Sequence, residues 1–257
     1  EMAALKKVRD SLGKEFNQAV KLIMERLKQG GKVVVTGVGK NLPIGQKIAS
    51  TLTSTGCPAI FMHPSDAMHG DLGILHNTDI LLALSYSGES EELMNLIPVV
   101  RRYGVSIISL CGVAGSALAK NSDVVVLVTV DREACPFNMA PTSSTTATLA
   151  VGDALAMILL EAQGFKKEDY AKLHPGGAIG RTLLLRLVQL IAQFFQLTVK
   201  ALVLSAQLLT TGLRQVTAGA QLVQLTAQLV DLAVQTLILL LQLTTRGLNC
   251  RVLVTRR

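Results

Sequence analysis

Asp79-Ile80-Leu81-Leu82-Ala83-Leu84, followed at once by Ser85-Tyr86-Ser87-Gly88-Glu89-Ser90, decides how this chain folds. The apolar run has no polar alternation, as expected of a strand buried on both faces of a parallel sheet. Glu91 to Tyr103 then carry helical spacing. Three serine hydroxyls, a glycine and a carboxylate therefore sit at a strand-to-helix corner. Free backbone N–H groups and the positive helix end gather there, and both favour a phosphate. Serine hydroxyls add donors, and Gly88 lets the backbone approach a ligand closely. Glu89 is a poor phosphate ligand, so its presence points to proton chemistry on the rest of the bound molecule. In isolation, an ordinary Ser-rich helix cap would look the same.

Working outward, the same alternation recurs. Residues 3–29 place Ala4, Leu5, Val8, Leu12, Phe16, Ala19, Val20, Ile23, Met24 and Leu27 at spacings of three and four. That is an amphipathic helix with a break near Gly13, ended by Gly30-Gly31. Lys32 to Thr36, Ala59 to Met62, Ile80 to Leu84, Val105 to Leu110 and Val124 to Val130 read as strands. Helices are expected between them, one from Pro43 to Thr55 and a long one from Ser144 to Gln163. The fold class is α/β: a doubly wound, five-stranded parallel sheet flanked by helices. Ligands bind such sheets beyond the carboxyl ends of the strands. The expected organisation is an N-terminal helical segment (1–30), the α/β domain (31–186) and a separate C-terminal segment (187–257).

Composition narrows the function classes. The 257 residues carry a net charge of +7, but unevenly. Residues 1–186 hold 19 Lys/Arg against 17 Asp/Glu, whereas residues 187–257 hold 6 against 1. With 4% aromatics and no Trp, a nucleic-acid partner is not expected. Cys57, Cys111, Cys135 and Cys250 form no Cys-x-x-Cys pair, which suits a reducing compartment and argues against a disulfide scaffold or a zinc site. The N-terminus is charged and amphipathic, unlike a secretory signal. No run of about 18 apolar residues lacks a polar interruption, so no membrane span is expected. The expected location is cytoplasmic. Beyond residue 187, Leu, Gln, Val, Thr and Ala supply 54 of 71 residues, and no clean helical or strand period persists. That segment carries no functional reading.

Five further stretches bear chemistry. Gly37-Val38-Gly39-Lys40-Asn41 closes the first strand. Leu42 rules out a dinucleotide fingerprint, and the Gly–Lys spacing rules out a Walker loop. Its value is Lys40, an ammonium at the same sheet edge as Ser85, although loop lysines are often simply solvated. His63 to Gly73 contains His69-Gly70-Asp71-Leu72-Gly73. Arg132-Glu133-Ala134-Cys135-Pro136 precedes Ala140 to Thr148, a hydroxyl-dense helix start and second candidate anion site. His174-Pro175-Gly176-Gly177-Ala178-Ile179-Gly180-Arg181 is the last.

In this order, these segments closely resemble the sugar isomerase (SIS) domain of the D-arabinose 5-phosphate isomerases. Ser54 to Pro58 and Gly152 to Ala156 extend the resemblance, which covers about residues 30–186. It implies interconversion of D-arabinose 5-phosphate and D-ribulose 5-phosphate, a reaction that feeds Kdo synthesis for lipopolysaccharide. It implies a sugar phosphate as small-molecule partner, a homotetramer with shared active sites, and neither a redox cofactor nor a metal. Catalytic residues carried over by resemblance are Lys40, Glu89, Glu133 and His174, with His69 a contributor. Substrate and phosphate contacts would come from Gly39, Asn41, Ser85, Ser87, Ser90, Thr142, Ser143, Ser144 and Thr145. The family usually shows Ser-Gly after the lysine; here Asn41-Leu42 follows, which bears on substrate preference. Of the CBS modules that family members often append, only an echo near Thr245-Arg246-Gly247-Leu248 is present.

The chemistry implied is a proton moved between adjacent carbons through a cis-enediol. A base must take the proton from C2 and return it at C1. Glu133 is the first candidate and Glu89 the alternative. Lys40 would stabilise the enediolate oxygen, and His174 would open the sugar ring. Two rivals stand beside this reading. One is an isomerase of the same fold acting on a longer sugar phosphate. The other is a non-catalytic sugar-phosphate sensor, which would have no use for Lys40, Glu89, Glu133 and His174 together.

Overall fold

Five parallel strands run in the order β2-β1-β3-β4-β5 in the computed structural model, which describes residues 1–174, 176–212, 228, 231 and 235. The strands are β1 (Val33–Gly37), β2 (Ala59–Phe61), β3 (Ile80–Leu84), β4 (Ser106–Cys111) and β5 (Val124–Leu127). All five residues of β1 and of β3 are buried, as the unbroken apolar runs require. β5 ends earlier than its apolar run. The Val128 N–H still bonds the Cys111 carbonyl, but Val130 leaves the ladder and meets the Tyr86 hydroxyl instead.

Side-chain parity divides the core into two layers. Val33, Val35, Ile80, Leu82, Leu84, Ile108 and Leu110 face α1 (Met2–Ser11), α2 (Lys14–Lys28), α3 (Asn41–Ser54) and α7 (Ser143–Ala162). Val34, Leu81, Ala83 and Ile107 face α4 (Pro64–Ala67), α5 (Glu91–Arg102) and α6 (Ala117–Lys120). The sheet is thus doubly wound, and the direction in which successive strands are added reverses between β1 and β3. The crevice at that reversal is where such folds bind ligands. Helices α3 and α7 cross closely because Gly152 leaves room for Ile48; a Cβ there would run into the Ile48 side chain.

Helix α3 begins at Asn41, two residues before Pro43. Gly39, at φ +59, turns the chain so that the Asn41 N–H already reaches the Val38 carbonyl. The N-terminal helix is broken into α1 and α2 between Leu12 and Gly13. A 3-10 turn (Asp71–Ile74) and α8 (Lys167–Leu173) complete the elements up to residue 174. Asp79, buried at 1% side-chain exposure, pins the start of β3 to β1. Its carboxylate accepts from the Lys32 N–H at 2.9 Å, the Lys32 ammonium at 2.6 Å and the His76 N–H at 2.9 Å.

The chain divides into two units, Glu1–Gly180 and Arg181–Arg257. Although no clean helical period persists in the sequence beyond residue 187, Ala178–Gly212 form one helix, α9. No Gly or Pro interrupts residues 181–211, and Leu, Gln and Ala are good helix formers. Among the described residues, two helices are also long and apolar enough by composition to cross a membrane: α7 and the Val188–Gln207 part of α9. Isolated polar residues, Thr and Asp153 in α7 and Gln in α9, interrupt the apolar runs without lowering their mean hydropathy enough to exclude this. Half of the α7 window is buried inside the fold, as befits a core helix, whereas the Val188–Gln207 window is exposed. The Thr245-Arg246-Gly247-Leu248 echo lies outside the described residues.

Candidate active site

At the β1/β3 reversal a cleft of about 380 Å³ opens beyond the strand ends. One wall is the corner after β3. Ser85 is almost fully buried, its hydroxyl 3.0 Å from that of Ser90, and it accepts the Gly88 N–H at 3.1 Å. Gly88 lies at φ +69 and packs on Ser116, where a Cβ would collide. The Ser87 hydroxyl accepts the Glu89 N–H at 3.3 Å and faces the cleft. Val38 and Asn41, from the turn after β1, form a second wall.

The third wall is the segment from Val130 to Ser144, and its centre is Glu133. One carboxylate oxygen of Glu133 accepts the Thr142 N–H at 2.8 Å, the Thr142 hydroxyl at 3.1 Å and the Ser144 N–H at 3.2 Å. Glu133 therefore occupies the positive end of the 20-residue α7. Partial burial pushes its carboxyl up. The Ser144 hydroxyl, both backbone N–H groups and the Thr142 hydroxyl together outweigh that, leaving it below the ordinary glutamate range. Asn138, at φ +54, closes a turn within this segment by accepting the Glu133 N–H at 2.6 Å. Cys135 lies in the same loop. The N–H groups of Met139 and Ala140 bond its sulfur at 3.1 and 3.2 Å and pull its thiol down.

Of the residues singled out from the sequence, Asn41, Ser85, Ser87, Ser90, Glu133 and Ser144 share this cleft. The others are placed around or away from it. Gly39 and Lys40 lie exposed at the start of α3, beside the Asn41 wall, and Lys40 makes no ion pair among the described residues. The Glu89 carboxylate turns to α6, accepting the Ala117 N–H at 2.8 Å. Thr142 stands behind Glu133, and Ser143 is buried facing a neighbouring depression with Ala134 and Glu1. The Thr145 hydroxyl bonds the Thr142 carbonyl. His69 is exposed after α4. His174 stacks on Tyr170 at 3.9 Å and lines a different cleft, with Gln46, Ser50, Thr53 and Phe61. Pro175, in the same motif, lies outside the described residues.

Tyr86, Arg132 and Asn138 also line the cleft and were not singled out. Arg132 is its one cationic side chain among the described residues. Its signal was its place beside Glu133, while Asn138 offered only the known tolerance of asparagine for positive φ. Among the described residues, no group of three His, Cys, Asp or Glu side chains could hold a metal. A cradle of hydroxyls facing one ionised glutamate can bind an anionic ester and move a proton beside it.

The SIS domain model matches residues 26–158, about half of the chain and all five strands. The chain belongs to the SIS domain family. It is 46% identical over 186 residues to the arabinose 5-phosphate isomerase KdsD of Francisella tularensis, covering 72% of this chain and 57% of that protein. It is 51% identical over 175 residues to the KdsD of Pseudomonas aeruginosa, covering 68% and 53% respectively. The chain thus spans about half the length of the curated relatives it matches. Among solved structures, an Escherichia coli CFT073 protein in complex with arabinose 5-phosphate superposes at a TM-score of 0.65 with 37% identity, over 68% of this chain and 91% of that one.

Proposed function

We propose that this SIS domain is an aldose–ketose isomerase that interconverts D-arabinose 5-phosphate and D-ribulose 5-phosphate through an enediol. The observation that carries this reading is the single cleft in which Ser85, Ser87, Ser90 and Asn41 face Glu133. The names of the Francisella and Pseudomonas relatives and the sugar-phosphate complex of the Escherichia coli protein support the substrate. On this reading the product serves Kdo synthesis for lipopolysaccharide or capsule, in the cytoplasm.

The phosphate sits against the hydroxyls and free N–H groups of the β3 corner, with Arg132 as counter-charge. Binding of that remote group orients C1 and C2 against the base. Glu133 is the base in preference to Glu89, because Glu133 lines the cleft and Glu89 is committed to α6. Its hydrogen bonds to α7 keep it ionised at neutral pH, the state a base requires, at some cost in proton affinity. Lys40, at the cleft margin, stabilises the enediolate oxygen. His174 opens the sugar ring from the site of a second copy, in a homotetramer with shared sites. Its place in a different cleft of its own chain is consistent with that arrangement.

Incubating the full chain with D-arabinose 5-phosphate and following the sugar by NMR tests the activity. Appearance of D-ribulose 5-phosphate, equilibrating from either side, is expected. Binding without turnover would favour the sensor reading, and turnover of hexose phosphates alone would favour the longer substrate.

A further inference from the structure

We infer that the Tyr86 hydroxyl is a positioning group that sets where Glu133 stands relative to the serine cradle. This inference rests on Glu133 being the base of the isomerase reading. The segment from Val130 to Thr142 leaves the sheet and is largely exposed, with Phe137 at 82% and Met139 at 81%. Such a segment holds a catalytic group only if both of its ends are tied down. The α7 end is tied through Glu133 itself. The sheet end is tied at two points: the Lys7 ammonium of α1 pairs with Asp131, and, from another strand exit, the Tyr86 hydroxyl donates to the Val130 carbonyl at 3.1 Å and accepts the Val130 N–H at 3.3 Å. Val130 stands three residues before Glu133.

Tyr86 is itself held from two sides. Its carbonyl accepts the Gly112 N–H at 2.8 Å, and its ring lies where any Cβ at position 112 would collide. The Gly112 carbonyl in turn accepts the Thr129 hydroxyl at 2.8 Å. One phenol thus joins the exits of β3, β4 and β5, and it belongs to the same corner as Ser85, Ser87 and Ser90. The cradle and the base are thereby referenced to each other through one residue that has no need to touch the sugar's reacting carbons.

Tyr86→Phe keeps the ring and deletes only the hydroxyl. In the full chain, hydrogen exchange without substrate should show faster exchange at Val130 to Glu133. With D-arabinose 5-phosphate, kcat should fall about tenfold while KM changes less than about twofold, because a displaced catalytic group loses rate and the cradle is untouched. Gly112→Ala, which displaces the ring, should reproduce the faster exchange. Exchange at Val130 to Glu133 that is unchanged in both variants overturns the inference, and so does faster exchange with unchanged kcat. If the unsubstituted chain does not isomerise the sugar, the isomerase reading fails, whereas the exchange data still report on the clamp.

Discussion

The Glu133 carboxylate lies 2.8 Å from the Thr142 backbone nitrogen and caps a 20-residue helix from a loop nine residues upstream. A group with a depressed folded-state pKa stabilises the fold above its unfolded pKa, and that contribution is lost as pH falls through the folded value. Glu133→Ala should therefore lower stability by about 1 kcal/mol at pH 7, the usual worth of a helix cap. Urea titrations of both proteins should show the difference shrinking once pH drops below the ordinary glutamate range. A difference that persists undiminished in acid would mean that packing, not the charged cap, is responsible.

Ser87 reaches the cleft with a hydroxyl that supports only the neighbouring Glu89 N–H. Ser87→Ala should raise KM for the phosphorylated sugar roughly tenfold, the worth of one hydrogen bond to a charged group. Its kcat should stay within about threefold. Steady-state kinetics that instead lose kcat at constant KM would remove Ser87 from the phosphate cradle.

Asp79 is buried and accepts three hydrogen bonds, one of them from the Lys32 ammonium. Removing one partner of such a pair leaves buried donors without an acceptor. Asp79→Ala should cost about 3 kcal/mol in the urea midpoint analysis. A loss under about 1 kcal/mol would show that water replaces the carboxylate easily.

Burial pushes the Cys57 thiol up to about 12, whereas backbone N–H groups of Met139 and Ala140 pull the Cys135 thiol down. Only the thiolate alkylates. Brief iodoacetamide treatment of the folded chain should label Cys135 first and leave Cys57 untouched, as read by peptide mass mapping. Labelling of Cys57 at a comparable rate would contradict its place in the core.

Much of this architecture was legible because the physics is local. Ile80 to Leu84 could only be a doubly buried strand, and Gly88 with its serines could only be a turn beyond it. Strand order was not legible: alternation of strands and helices permits several orders, and β1 comes to lie between β2 and β3 through contacts distant in sequence. The same limit applied to the site. Ser85, Ser87 and Ser90 are neighbours in the chain and announced themselves together. The meeting of Tyr86 with Val130, 44 residues on, depends on sheet order, and nothing local to His174 showed that it would line a different cleft. Glu89 has the composition of a base but the position of a helix cap, and nothing in its local sequence distinguishes the two.

The most direct test is Glu133→Gln followed by NMR with D-arabinose 5-phosphate in deuterated water. An isosteric amide keeps the cleft's shape but cannot take a proton. We expect no deuterium at C2 and no D-ribulose 5-phosphate, with affinity for the sugar phosphate within about threefold of the unsubstituted protein. Isomerisation at an undiminished rate would show that Glu133 is not the base.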